Sequence, residues 1–115
     1  MDITIYHNPL CSNSRNTLAA IRAAGLEPRV VAYLETPPSR AELVRMLDAA
    51  GLCPREAMRT KESLYTELGL GADEVGDDAL IDAMLAHPVL MNRPFVVTPK
   101  GVRLCRPPET VREIL

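Results

Sequence analysis

A chain of 115 residues can bury one modest hydrophobic core and not two, and a hydrophobic content of 47% with mean hydropathy at zero contains no run approaching the ~18 apolar residues of a membrane span. The formal net charge of −2 argues against a general nucleic-acid binder. Three cysteines (Cys11, Cys53, Cys105) without a C-x-x-C pair, and two widely separated histidines (His7, His87), leave neither a disulfide framework nor a metal centre to expect.

The first elements read as strand, helix, strand. Ile3-Thr4-Ile5-Tyr6 is strand-like, and Leu18, Ile21 and Ala24 mark one face of a helix over about 14–24 that stops at Gly25, a residue suited to the left-handed position after a helix. Pro28 bars continuation, and the β-branched run Arg29-Val30-Val31-Ala32-Tyr33-Leu34 reads as a short buried strand. A strand, a helix and a strand in so short a span form a βαβ unit with parallel strands.

A helical block follows. Ser39-Arg40-Ala41-Glu42 is a capping-box pattern, with Leu43, Met46, Leu47 and Ala50 continuing one apolar face to Gly51. Short helical turns are expected over 55–59 and 62–68. Asp77-Asp78 then opens a helix carrying Leu80, Ile81, Met84 and Leu85, its acids favoured at the positive end, which finishes at His87-Pro88. Phe95-Val96-Val97-Thr98 and Val102-Arg103-Leu104-Cys105, joined by Pro99-Lys100-Gly101, predict an antiparallel hairpin, and a last helix carries Val111, Ile114 and Leu115. The order is βαβ, helices, ββα.

Chemistry concentrates in His7-Asn8-Pro9-Leu10-Cys11-Ser12-Asn13-Ser14-Arg15-Asn16-Thr17, a strand-to-helix turn. A lone cysteine is commonly a small buried hydrophobe. Here polar neighbours and the start of a helix point to a nucleophile, because any of Ser12, Asn13 or Ser14 can cap, and the first-turn N–H groups and helix dipole favour a thiolate and can cradle an oxyanion. A phosphatase-type loop needs arginine six positions after the cysteine, where Thr17 stands; a dithiol centre needs cysteine at position 14, where Ser14 stands. What remains is Cys-x-x-x-Arg, one thiol that must be served by an external thiol. Cys53 and Cys105 read as structural. Arg93 and Arg106 each precede a proline at an edge of the expected hairpin, whereas Arg59 on local context is an ordinary solvated arginine.

Taken in register, His7-Asn8-Pro9 with Cys11, Ser14-Arg15-Asn16-Thr17, Tyr33-Leu34-Glu35-Thr36-Pro37, Leu80-Ile81 with Met84-Leu85, Arg93-Pro94 with Val96-Val97, and Arg106-Pro107 carry a resemblance along essentially the whole chain. The chain resembles the glutaredoxin-coupled arsenate reductase family. The resemblance implies an α/β thioredoxin-like fold, one domain over 1–115, with a mixed four-stranded sheet and a helical insertion over about 39–87. It implies that Cys11 is the nucleophile, that Arg59, Arg93 and Arg106 bind the oxyanion, that His7 and Ser14 help hold the thiolate, and that Pro94 is a cis-proline.

It further implies an oxidoreductase of arsenic detoxification that reduces arsenate to arsenite through a covalent Cys11 adduct. Glutathione is then a co-substrate and glutaredoxin a partner, with no bound cofactor, metal, nucleic acid or membrane. No N-terminal signal segment is evident, so a cytoplasmic location is expected. Two other readings share the architecture. One is a monothiol oxidoreductase acting on glutathionylated proteins, its arginines binding glutathione carboxylates; the other is a non-enzymatic module similar to Spx-type regulators, against which Ser14 speaks.

Overall fold

Ile5 lies fully buried on a central strand, and the sheet is built outward from it. The computed structural model describes all 115 residues. Strands β1 (Thr4–Tyr6), β2 (Arg29–Val31), β3 (Phe95–Thr98) and β4 (Gly101–Leu104) lie in the order β2-β1-β3-β4. β1 runs parallel to β2, with Ile5 opposite Val30, and antiparallel to β3, with Ile5 opposite Val96; β3 and β4 form the expected hairpin. Helix α1 (Ser12–Ala23) connects β1 to β2. Ile3, Ile5 and Val96 from the sheet pack with Ile21 of α1, Cys105, and Val111 and Ile114 of a C-terminal 3-10 segment (Pro108–Ile114).

Helix α1 ends as expected. Gly25 takes φ +79°, its N–H donates to the Arg22 carbonyl, and the Leu26 N–H reaches back to Ile21 at 3.3 Å, a Schellman closure that glycine makes without a steric cost.

Three expectations need correction in this part of the chain. β2 ends at Val31 and its first two residues are exposed, because it is the edge strand and Ala32 already accepts the N–H groups of Glu35 and Thr36 in a turn. Helix α1 begins at Ser12, two residues earlier than expected, because the Arg15 N–H already bonds the Cys11 carbonyl at 3.0 Å. The last helix is 3-10 throughout, with Val111 and Ile114, three apart, on one buried edge. Its end is held by the Thr98 hydroxyl, which donates to the Ile114 carbonyl at 2.6 Å, and by Lys100 Nζ on that of Leu115.

The helical stretch forms its own compact unit over Pro37–Asn92, the remainder of the chain forming the other. Helix α2 (Arg40–Ala50) carries the full capping box: the Glu42 N–H donates to Ser39 Oγ, the Glu42 carboxylate accepts the Ser39 N–H, and Gly51 closes the helix at φ +69°. A 3-10 turn (Pro54–Ala57), α3 (Ser63–Glu67) and α4 (Asp77–Ala86) follow. Arg40 of α2 pairs with Asp78 and Asp82 of α4 at 2.8 and 3.2 Å. Arg55 ties the irregular region, donating to the carbonyls of Leu70 and Ala72. Cys53, expected to be structural, is exposed ahead of the Pro54 turn. No helix is long and apolar enough to cross a membrane.

Candidate active site

The turn after β1 is shaped chiefly by one residue. Asn8 donates its N–H to Ser14 Oγ at 3.0 Å, accepts the Leu10 N–H on its side-chain oxygen at 3.0 Å, and accepts the Cys11 N–H on its backbone carbonyl at 3.0 Å. Sequence reasoning gave Asn8 no role, although asparagine before proline is a turn former that bonds its own backbone two residues on. Arg15 adds a brace from Nη1 to the Pro9 carbonyl at 2.9 Å. Thr17, fully buried, donates its hydroxyl to the Asn13 carbonyl at 2.7 Å and fixes the first turn of α1.

The N-cap of α1 is therefore Cys11 itself and none of the three polar candidates that follow it. A cysteine at this position brings its sulfur to the first-turn N–H groups that an oxygen cap would otherwise occupy. Cys11 as a residue is 8% exposed, and it is not among the residues that pack with Ile5, Ile21 and Val96. Burial pushes the thiol up. The N–H of Ser14, the Arg93 charge, the N–H of Asn13 and a hydrogen bond from the Arg93 side chain outweigh that push and leave Cys11 below the ordinary thiol value. Cys105 shows the opposite outcome: it is sealed in the core, and desolvation pushes it up to about 12.

His7 Nδ1 stands 2.6 Å from Ser14 Oγ. Burial pushes the imidazole below its ordinary value, and the charges of Arg22 and Arg15 push it the same way. His7 is thus neutral near pH 7 and acts on the loop through Ser14, whose hydroxyl is shared with the Asn8 N–H while its own backbone N–H faces the sulfur.

Arg93 precedes Pro94 across a cis peptide bond, and Arg106 precedes Pro107 across a second one. The Cys105 N–H donates to the Pro94 carbonyl at 2.9 Å, and Arg106 Nη1 donates to the Arg93 carbonyl at 3.1 Å, so the two arginines share one corner of the sheet unit. Arg59 belongs to the helical unit. Its N–H bonds the Leu90 carbonyl at 2.8 Å, and its guanidinium lies 3.4 Å from Glu62 in a part-buried pair. Cys11, His7, Ser14, Arg93, Pro94 and Arg106 all fall within the sheet unit.

This combination of a mixed four-stranded sheet, a cysteine at the helix N-cap and a cis-proline defines a thioredoxin-like protein with one cysteine in its strand-to-helix turn. More narrowly, the chain belongs to the ArsC family, whose model matches residues 6–114. It is 62% identical over 115 residues to an arsenate reductase of Rhizobium meliloti, covering all of this chain and 82% of that one. It is 57% identical over 114 residues to an arsenate reductase of Escherichia coli K12, covering 99% and 81%. Among solved structures, an arsenate reductase from Vibrio cholerae superposes with a TM-score of 0.96 at 52% identity, covering 100% of this chain and 98% of the other.

Proposed function

We propose that this chain reduces arsenate to arsenite on Cys11, with glutathione and glutaredoxin delivering the electrons in the cytoplasm. The observation that carries the proposal is the place of Cys11 at the N-cap of α1, before the first-turn N–H groups and with Arg93 beside it, surroundings that favour the thiolate. Support comes from relatives named arsenate reductase that are more than half identical over nearly the full chain.

Arsenate is a tetrahedral dianion near neutral pH, and forked guanidinium donors suit its oxygens better than a point charge does. Arg93 and Arg106 supply such forks at the corner beside the sulfur, and Arg59 is assigned as a third ligand on the family resemblance. The Cys11 thiolate attacks arsenic and hydroxide leaves, protonated by solvent, which gives the Cys11–arsenate adduct. The N–H donors and Arg93 are in place before the charge moves, so little reorganisation is needed. Glutathione displaces a second hydroxide from arsenic. Glutaredoxin thiolate then attacks the glutathione sulfur, a disulfide forms between the two, and the electron pair of the broken sulfur–arsenic bond takes arsenic from the pentavalent to the trivalent state. Water releases arsenite, and Cys11 returns as thiolate. One loop thiol suffices because both electrons come from outside; three free cysteines fit a reducing compartment.

The test is arsenate-dependent NADPH consumption in the presence of glutathione, glutathione reductase and glutaredoxin. Wild type should turn over and Cys11→Ser should be inactive with its fold intact. Full activity in the serine variant would end the proposal, and turnover of glutathione mixed disulfides without any response to arsenate would replace it with a monothiol oxidoreductase.

A further inference from the structure

Leu10, immediately before the nucleophile, is 87% exposed, and Pro9 beside it is exposed as well. Single apolar side chains on a surface are ordinary. Leu10 differs because its backbone is pinned: its own N–H goes to Asn8 Oδ1, the next N–H goes to the Asn8 carbonyl, and Arg15 holds the Pro9 carbonyl. A loop fixed on both sides keeps the side chain in water, next to a cysteine that is itself only 8% exposed.

With Ser14 where a second thiol would stand, the electrons come from an external thiol, which in the cycle proposed above belongs to a protein. That protein's thiolate has to reach a glutathione sulfur held directly over Cys11, so its surface must close around this loop. We propose that Leu10, with Pro9, is the apolar contact on which the reducing protein docks, a specificity determinant for the protein thiol over small thiols; this rests on the glutaredoxin-dependent cycle proposed above. The surroundings define the partner's chemistry. Exposed Arg15 braces the loop and exposed Arg106 borders Arg93, while no residue from His7 to Thr17 is acidic. The complementary surface is an apolar recess bordered by carboxylates.

The docking step can be read without arsenate. In a Cys53→Ser background, oxidised glutathione converts Cys11 to its glutathione mixed disulfide: the thiolate attacks one sulfur and glutathione thiolate leaves. Glutaredoxin thiolate then attacks the glutathione sulfur and Cys11 leaves as thiolate, a good leaving group. The rate constant of this release is compared for wild type, Leu10→Ser and Leu10→Met, with glutaredoxin and separately with dithiothreitol. Leu10→Ser should lower the glutaredoxin value by about tenfold, the scale expected for losing a buried leucine contact, and leave the dithiothreitol value unchanged, while Leu10→Met stays near wild type. An unchanged glutaredoxin value, or an equal fall with both thiols, would overturn the proposal. Failure of arsenate turnover in wild type would sink the reductase reading and leave this comparison standing.

Discussion

His7 Nδ1 and Ser14 Oγ are 2.6 Å apart, and the same hydroxyl receives the Asn8 N–H, so one fully buried oxygen joins the strand end, the turn and the helix start. Ser14→Ala removes both bonds and leaves a buried N–H without its partner, a loss of about 1–3 kcal/mol. Stability measured by denaturant unfolding should fall by about that amount. The Cys11 alkylation profile should move to higher pH, because the loop that aims the first-turn N–H groups loosens. A stability loss with an unmoved alkylation profile would show that the hydroxyl serves folding only.

Arg93 acts on Cys11 through its charge and through a hydrogen bond, whereas Ser14 and Asn13 act through backbone N–H groups that no side-chain change removes. Arg93→Gln should therefore raise the pH at which iodoacetamide reactivity of Cys11 appears, because burial is then opposed by the backbone N–H groups alone. Arsenate kcat/KM should fall by about a hundredfold, as for loss of a charge-assisted contact in a site of this kind. Arg93→Lys should restore most of the alkylation profile and less of the arsenate kinetics, since a point charge reproduces the field and not the fork.

The parts of this molecule that a sequence discloses are those decided within a few residues. Ser39 and Glu42 satisfy each other's backbone N–H groups across one turn, and Asp77-Asp78 starts α4 where local charge favours it. Val30 reads as buried because β-branched runs usually are, but the sheet order leaves β2 at an edge, a choice made by pairings more than sixty residues away along the chain. Likewise Val111 and Ile114 suit an α-helix or a 3-10 segment equally, and Thr98 on the hairpin holds the end of the segment that forms. In the site, the sulfur's place before a helix is local and legible. The cap is misjudged because three good capping residues follow a cysteine, and the bond from Cys11 to Asn8 that sets the start is a matter of turn geometry. Arg93 reaches the sulfur from the far end of the chain; its place before Pro94 marks it locally, whereas Arg103 lies within β4 and pairs with Glu113, but that the marked side chain meets Cys11 is decided by the sheet order.

Arg59 and Glu62 form a part-buried pair at 3.4 Å, one turn apart, of the sort worth little to stability. Arg59→Lys should accordingly change the unfolding free energy by less than about 0.5 kcal/mol. If Arg59 is an arsenate ligand, the same variant should raise the arsenate KM by about tenfold and leave the Cys11 alkylation profile in place. Unaltered arsenate kinetics would remove Arg59 from the anion site and leave binding to Arg93 and Arg106.

Cys105 provides a stability test separate from catalysis. Its thiol is fully buried, donates weakly to the Arg103 carbonyl, and is pushed up to about 12 by desolvation. The unfolded chain releases this proton near the ordinary thiol value of about 8.5, so between there and the folded value the folded state binds more protons than the unfolded one. Stability therefore falls as pH rises through that window, by up to about 1.4 kcal/mol per pH unit from this group. Cys105→Ala should lower stability near pH 7 through the cavity it leaves, yet flatten the alkaline decline. Unfolding free energies of both chains from pH 7 to 11 check this: the gap between wild type and variant should narrow as pH rises, and parallel curves would mean that the Cys105 thiol ionises as readily folded as unfolded.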